Sequence, residues 1–440
     1  MIFAVSCSQK GTSFKVPVDY YTLDNGLRVV FSPSHNAPIV TVAVYYNIGF
    51  RIEPKDRTGF AHLFEHMMFQ GSTNLGKMEF IKLVQSNGGI LNGSTRFDFT
   101  NYFEIMPAHK LETALWAEAD RMKGLNITQE NLANQQGVVT NEVKVNIHNR
   151  PYGGFPWLDM PQYANENWYN AHNFYGDLED IEAATLDDVK DFFKSYYTPG
   201  NAVVVVTGDF QTVDALEMIM RYFGDIPATE LKAKPDISEP RQEKAKRFTK
   251  QDPLANRPAL AFSYHIPDRN TPEYYAMGLL DQILLQGDDS RLNQVLVQEK
   301  GMTGSVEGGI NMLGNMFNYD GPMLWTGYLY HDSEVSSDTL VKVVNQVLEE
   351  LKTQPIDEAT LQLAKIKMRS NLYDSIDDYF GFGLADLLAS FALFDDNPAR
   401  INEIEKEFEK VTPELIMKTA QEYLRATNQT ILIIEPQANS

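Results

Sequence analysis

Apolar residues recur along this chain in two rhythms. Val40–Tyr46, Val203–Thr207, Ala259–Tyr264, Leu324–Leu329 and Thr430–Ile434 are short runs rich in β-branched and aromatic residues, the pattern of buried strands. Leu186–Tyr197, Val213–Phe223, Glu273–Leu285 and Asp338–Leu351 place apolar residues three and four apart, as helices with one buried face do. The two kinds of segment alternate up to residue 227 and alternate again after residue 257. Between them, 228–257 is rich in Lys, Arg and Pro with little apolar periodicity, and reads as a linker. The 440 residues exceed one ordinary core and suit two domains of about 200 residues each. The expected division is a tail over 1–15, a first domain over 16–227, the linker over 228–257 and a second, homologous domain over 258–440. The fold class is α+β: two similar α/β domains in tandem, each a mixed, mostly antiparallel sheet with helices packed over one face.

One helical segment carries chemistry. His62-Leu63-Phe64-Glu65-His66 lies among Phe60, Met67 and Met68, with Gly71 as a C-terminal stop. Residues four apart share a helix face, so His62 and His66 can offer two imidazoles to one metal ion, with Glu65 beside them. Zinc suits the set, because catalytic zinc takes three protein ligands and keeps a fourth position for water. A carboxylate within reach can accept that water's proton. The order HxxEH inverts the commoner HExxH string and is the signature of the inverzincin peptidases. For the third ligand there is one good candidate. Thr128 to His148 reads as a helix with Thr128 as N-cap and Glu130 in the first turn. Glu142 shares a face there with Val138, Val139 and Val143. A carboxylate on a buried helix face is costly unless it is paired or bound to metal; the alternative is a solvated glutamate at the edge of the stripe.

With these residues on view, the chain resembles the M16 peptidases, the family of pitrilysin, insulin-degrading enzyme and the mitochondrial processing peptidases. The resemblance rests on HxxEH followed, 76 residues after His66, by the Glu of Val138-Val139-Thr140-Asn141-Glu142. It extends to Leu23-Asp24-Asn25-Gly26-Leu27, Asn92-Gly93-Ser94-Thr95, Thr100-Asn101-Tyr102, Asn149-Arg150-Pro151-Tyr152-Gly153 and Tyr197-Thr198-Pro199-Gly200-Asn201-Ala202, and so covers nearly the whole chain. It implies that His62, His66 and Glu142 bind Zn2+ and that Glu65 is the general base. Many members carry a second glutamate seven residues before the ligand glutamate; Gln135 stands there in this chain. An amide can still hydrogen-bond around the ligands but brings no negative charge, so weaker zinc binding or slower turnover is expected. The resemblance also points to a sheet edge that pairs with an extended peptide, where Gly89 to Asn92 lead into an expected strand over Phe99–Ile105. Asn92 is the expected substrate contact, although Asn-Gly and Gly-Gly are plain turn signals too.

The second copy lacks what family members often carry there, an Arg and a Tyr seven residues apart that hold the substrate backbone. Their positions are Val297 and Gly304 in Leu296-Val297-Gln298-Glu299-Lys300-Gly301-Met302-Thr303-Gly304. The chain is thus similar to the metal-bearing half of a two-subunit enzyme. A heterodimer is expected, its M16-like partner supplying the missing pair; the alternative is self-association, or a monomer that positions substrate with other residues. The expected activity is a zinc endopeptidase acting on extended peptides or unfolded segments. The alternative is a non-catalytic, zinc-binding scaffold subunit of the same fold, which Gln135 favours.

A net charge of −21 and a pI near 4.8 argue against nucleic-acid binding, which needs a positive footprint. The other histidines, His35, His109, His148, His172, His265 and His331, form no second ligand set. The single cysteine, Cys7, excludes an intrachain disulfide. Phe3-Ala4-Val5-Ser6-Cys7-Ser8 is similar to the end of a bacterial lipoprotein signal, with Ser8 to Val16 as a tether, although the apolar run before Cys7 is short for a signal. The expected location is the bacterial cell envelope or periplasm, with a lipid anchor at Cys7; the alternative is the cytoplasm. No apolar run reaches the length of about 18 residues that a membrane-spanning helix needs.

Overall fold

The computed structural model describes residues 15–437, so Cys7 and its flanking string lie outside the described residues. The first sheet is six-stranded and takes β1 (Asp19–Thr22), β2 (Arg28–Pro33), β3 (Ile39–Tyr46), β4 (Ile90–Thr95), β5 (Thr100–Pro107) and β6 (Ala202–Gly208) in the order β1-β2-β6-β3-β5-β4. The second is five-stranded and takes β7 (Lys246–Asp252), β8 (Ala259–His265), β9 (Glu307–Ile310), β10 (Leu324–Tyr330) and β11 (Gln429–Pro436) in the order β7-β11-β8-β10-β9. Without β1 the two orders are the same. Each sheet has one parallel pair, β2 with β6 and β7 with β11, among antiparallel neighbours. The mixed, mostly antiparallel α+β architecture expected from the sequence is therefore present twice.

The first sheet differs from the expectation in one respect: both of its faces are covered. Val29, Phe31, Val42, Val44, Val204 and Val206 point into a core shared with the helices of the first half. Their neighbours Val30, Ala43, Tyr45, Val203 and Val205 point the other way, into a core shared with residues 385–393. Burial on both faces explains why β3 and β6 read as unbroken apolar runs instead of alternating ones. The cover on the second face is the last part of a 38-residue helix, Glu358–Asp395. Tyr45 donates to Asp386 at 2.7 Å, and Arg28 Nη1 donates to the carbonyl of Ala392 at 2.9 Å. The first part of that helix belongs to the second half, where Asn371 donates to Gln282 at 3.2 Å.

A buried ion pair also joins the halves. Arg51 Nε lies 2.8 Å from Asp98 Oδ1, and both side chains are almost wholly buried. Arg51 Nη1 donates to Asn170 Oδ1 at 2.6 Å and to the Pro322 carbonyl at 2.8 Å, while Asp98 Oδ2 accepts from the backbone of Asp320 at 2.8 Å. β7 falls inside the stretch read as a linker. It is an edge strand whose residues alternate between half-buried and exposed, so its Lys-rich sequence carries no apolar signal. No helix among the described residues is long and apolar enough to cross a membrane.

Candidate metal centre

Among the helices of the first half are α1 (Phe60–Met67), α2 (Glu79–Ser86), α3 (Leu111–Lys123) and α4 (Gln129–Val143); α1 and α4 pack together and carry the candidate metal-binding residues. α1 buries Phe60, Leu63, Phe64 and Met67, which turns the His62 and His66 side towards α4. Its N-cap is Gly59, at φ 78°, with no side chain to satisfy the first backbone N–H groups. Glu53 supplies that acceptor from outside the helix. Its carboxylate takes Gly59 N–H at 2.8 Å and Ala61 N–H at 2.5 Å, and it is completely buried. A carboxylate at this end also meets the positive pole of the helix dipole. α4 begins as the sequence implies, with Thr128 accepting from Asn131 N–H at 3.1 Å. After Glu142 it widens into a π-type turn over Lys144–His148, a feature that collects at functional sites. Val139 and Val143 are buried, but Val138 is 42% exposed, so the apolar stripe expected to include it is narrower.

His62, His66 and Glu142 come together. His62 Nε2 and His66 Nε2 are 3.3 Å apart; Glu142 Oε1 is 3.6 Å from the first, and Glu142 Oε2 is 3.3 Å from the second. Zinc bonded to nitrogen and oxygen at about 2.0–2.2 Å in a tetrahedron sets its ligand atoms roughly 3.3–3.5 Å apart. The two imidazole nitrogens sit at that spacing, each faces a different oxygen of Glu142, and one donor atom from each of the three residues lies within 4.8 Å of the others. The protonation states fit as well. Burial and the neighbouring His66 imidazole push His62 down to about 4, so it is neutral at physiological pH and keeps a lone pair for a metal. The hydrogen bond with His66 holds the Glu142 carboxyl below its usual range and therefore ionised. His62 Nδ1 is buried without a hydrogen-bond partner. Packing orients its ring instead, with Phe174 at 5.2 Å, Tyr175 at 5.1 Å and His66 at 4.8 Å between ring centroids. No other group of three His, Cys, Asp or Glu side chains among the described residues could hold a metal ion.

Glu65 stands next to this set and outside it. Thr95 Oγ1, at the end of β4, donates to Glu65 Oε2 at 2.8 Å. Burial raises the Glu65 carboxyl above the ordinary range, opposed by the Thr95 hydrogen bond and by the His66 and Arg96 side chains. A carboxylate raised towards neutrality is suited to exchanging protons. The expected strand over Phe99–Ile105 corresponds to β5, which is paired on both sides; the edge is β4, which takes in Asn92 itself and leaves it exposed. Asn92 Oδ1 accepts from Gly93 N–H at 2.9 Å. Gln135 is buried, but its amide donates to Asn134 at 2.8 Å and reaches none of the three donor residues. Tyr175, which no sequence signal picked out, does reach one: its hydroxyl donates to Glu142 Oε1 at 3.2 Å. In the second half, Val297 lies in a π-type turn over Gln294–Glu299 and Gly304 in the exposed loop that follows, so neither position offers a polar side chain.

Two domain models of one peptidase family match the chain. "Insulinase (Peptidase family M16)" matches residues 28–152, and "Peptidase M16 inactive domain" matches residues 183–368. The chain is 26% identical to the zinc protease PqqE of Helicobacter pylori, over 99% of this chain and 97% of that protein. It is 22% identical to the mouse mitochondrial-processing peptidase subunit beta, over 94% of this chain and 83% of that protein. The crystal structure of a protease from Helicobacter pylori superposes with a TM-score of 0.88 at 26% identity, covering 96% of this chain and all of that one. Its family models, its relatives and its paired sheets agree: the chain belongs to peptidase family M16.

Proposed function

We propose that this chain is a zinc-dependent endopeptidase that cleaves extended peptides or unfolded segments. The observation that carries the reading is a set of three donor residues, with one ligand atom of each within 4.8 Å of the others, beside a carboxylate that is not among them. His62, His66 and Glu142 would hold the ion. A bound zinc ion supplies Lewis acidity, making water a nucleophile near neutral pH and polarising a scissile carbonyl. Glu65 takes the proton from the attacking water and returns it to the departing amine nitrogen. Thr95 holds that carboxylate in place. The substrate adds as a strand along the outer edge of β4, where backbone groups face no neighbouring strand and Asn92 is at hand. The tie from Thr95 to Glu65 puts that edge next to the site.

The Arg and Tyr absent at Val297 and Gly304 would come from a second M16-like subunit, making the working enzyme a heterodimer. We place it in the bacterial cell envelope, anchored by a lipid on Cys7. Loss of fatty-acid labelling in Cys7→Ser tests the anchor. The second reading, a zinc-binding scaffold without turnover, is favoured by the uncharged Gln135.

The test is cleavage of a quenched peptide library by the chain alone and mixed with an M16-like partner that carries the Arg/Tyr pair. Chelator-sensitive cleavage in the mixture supports the peptidase, and cleavage by the chain alone removes the need for the partner. Stoichiometric zinc without cleavage in either sample favours the scaffold.

A further inference from the structure

We infer that the Tyr175 hydroxyl is the positioning group for the Glu142 carboxylate, fixing how that side chain is presented to a metal. The inference rests on the reading of His62, His66 and Glu142 as zinc ligands.

Groups that hydrogen-bond a metal's carboxylate ligand hold its orientation, and losing one typically costs about 10–100-fold in metal affinity or activity. Gln135 occupies the position from which the sequence leads one to expect that service, yet its amide turns to Asn134. Tyr175 provides the contact. Its hydroxyl donates to Glu142 Oε1 at 3.2 Å, while Glu142 Oε2 faces His66 Nε2 at 3.3 Å. The two carboxylate oxygens therefore have different partners, and rotation of the group is restrained. A tyrosine phenol titrates at about 10 in water, so the hydroxyl is a donor throughout the physiological range.

The same loop is docked on the helix that carries the histidines. The Tyr175 ring meets His62 at 5.1 Å between centroids with the planes at 79°, and is backed by Phe174 at 4.9 Å and Trp157 at 6.1 Å. Its backbone N–H donates to Asn173 Oδ1 at 2.8 Å. Its carbonyl lies against Gly59, at the N-terminus of α1, where a Cβ would collide with it. Asp177 N–H donates to Thr58 Oγ1 at 2.8 Å, and Thr58 Oγ1 donates to Asp180 Oδ2 at 2.6 Å. One short segment thus sets the His62 ring by packing and the Glu142 carboxylate by a hydrogen bond, and couples ligands from two different helices.

Tyr175→Phe removes the hydroxyl and keeps the ring. The full chain is titrated with Zn2+ against a competing chelator, and with Co2+ for its visible absorption spectrum. The expected result is a Kd for Zn2+ raised by about 10-fold or more, with an altered cobalt spectrum and the melting temperature of the metal-free protein unchanged. In a Glu142→Ala background, which leaves the hydroxyl no carboxylate to meet, the same substitution is expected to change the Kd by less than about 3-fold, because the two residues act through one hydrogen bond. Wild-type zinc affinity and an unaltered cobalt spectrum in Tyr175→Phe would overturn the inference. So would an equally large effect in the Glu142→Ala background. A His66→Ala variant that binds zinc as tightly as the wild type would instead overturn the ligand reading underneath.

Discussion

Thr95 Oγ1 donates to Glu65 Oε2 at 2.8 Å, tying the last residue of β4 to the one acidic side chain of α1. The contact restrains the proposed base and keeps it beside the sheet edge proposed for substrate. A hydrogen bond to a charged group contributes about 1.5–3 kcal/mol. Thr95→Val should therefore lower kcat by about 10-fold or more while leaving zinc content and KM near the wild-type values. Thr95→Ser, which keeps the donor, should restore most of the rate. Steady-state kinetics on the three proteins decides it, and equal kcat values would remove Thr95 from the site's working parts.

Zinc binding should fall steeply when a proposed ligand is deleted. His62→Ala and His66→Ala each remove one of three donors, and an affinity loss above about 100-fold is expected for each, read by chelator competition. Glu142→Gln keeps an oxygen but loses its charge, so a smaller loss is expected. Substituting His35, an exposed histidine paired with Asp209 at 2.6 Å, should leave zinc affinity unchanged.

Much of this site was legible in the sequence, for a physical reason. Helical spacing alone puts His62 and His66 on one face, and an acidic residue on the apolar side of α4 needs a partner. Thr95 and Tyr175 were not legible, because a strand end and a loop bring them in through tertiary packing and neither sits in a periodic pattern. Among the elements, β3, β6, β8, β10 and β11 were readable as apolar runs because they are buried strands. β7 was not, since an edge strand with polar alternation resembles a linker. The helix Glu358–Asp395 also escaped. It serves the second half at one end and the first sheet at the other, so its apolar residues follow no single stripe.

The Arg51–Asp98 pair should be needed for stability across the halves. Removing one partner of a buried pair costs about 3–5 kcal/mol, because the other charge is left uncompensated. Arg51→Met would strand Asp98 and also release the Pro322 carbonyl. A marked fall in thermal stability is expected, and a melting temperature within about 2 °C of the wild type would contradict it.

Stability should also depend on pH through Asp281. This carboxyl accepts from Trp325 Nε1 at 2.8 Å and Gln286 Nε2 at 3.1 Å, yet burial outweighs both and pushes it up to about 6. An unfolded Asp titrates near about 3.9, so the folded chain binds more protons between these values. The group's contribution is fully present below pH of about 4 and is lost as pH rises through about 6. The loss at neutral pH is on the order of 3 kcal/mol, at about 1.4 kcal/mol per unit. Asp281→Asn loses one of the two acceptor oxygens but does not titrate, so it should lack the wild type's fall in stability between pH 4 and pH 7.5, and the difference between the two proteins should move in the variant's favour as pH rises. Parallel pH profiles for the two proteins would refute the assignment.

The most direct measurement compares the wild type with Glu65→Gln at equal zinc occupancy, each mixed with the same partner and quenched peptide. Both proteins should bind zinc stoichiometrically, because Glu65 lies outside the donor set. Turnover by Glu65→Gln should fall by about 100- to 10,000-fold, the range of general-base catalysis. Turnover within about 3-fold of the wild type would contradict the account, since no proton acceptor would then be needed at position 65.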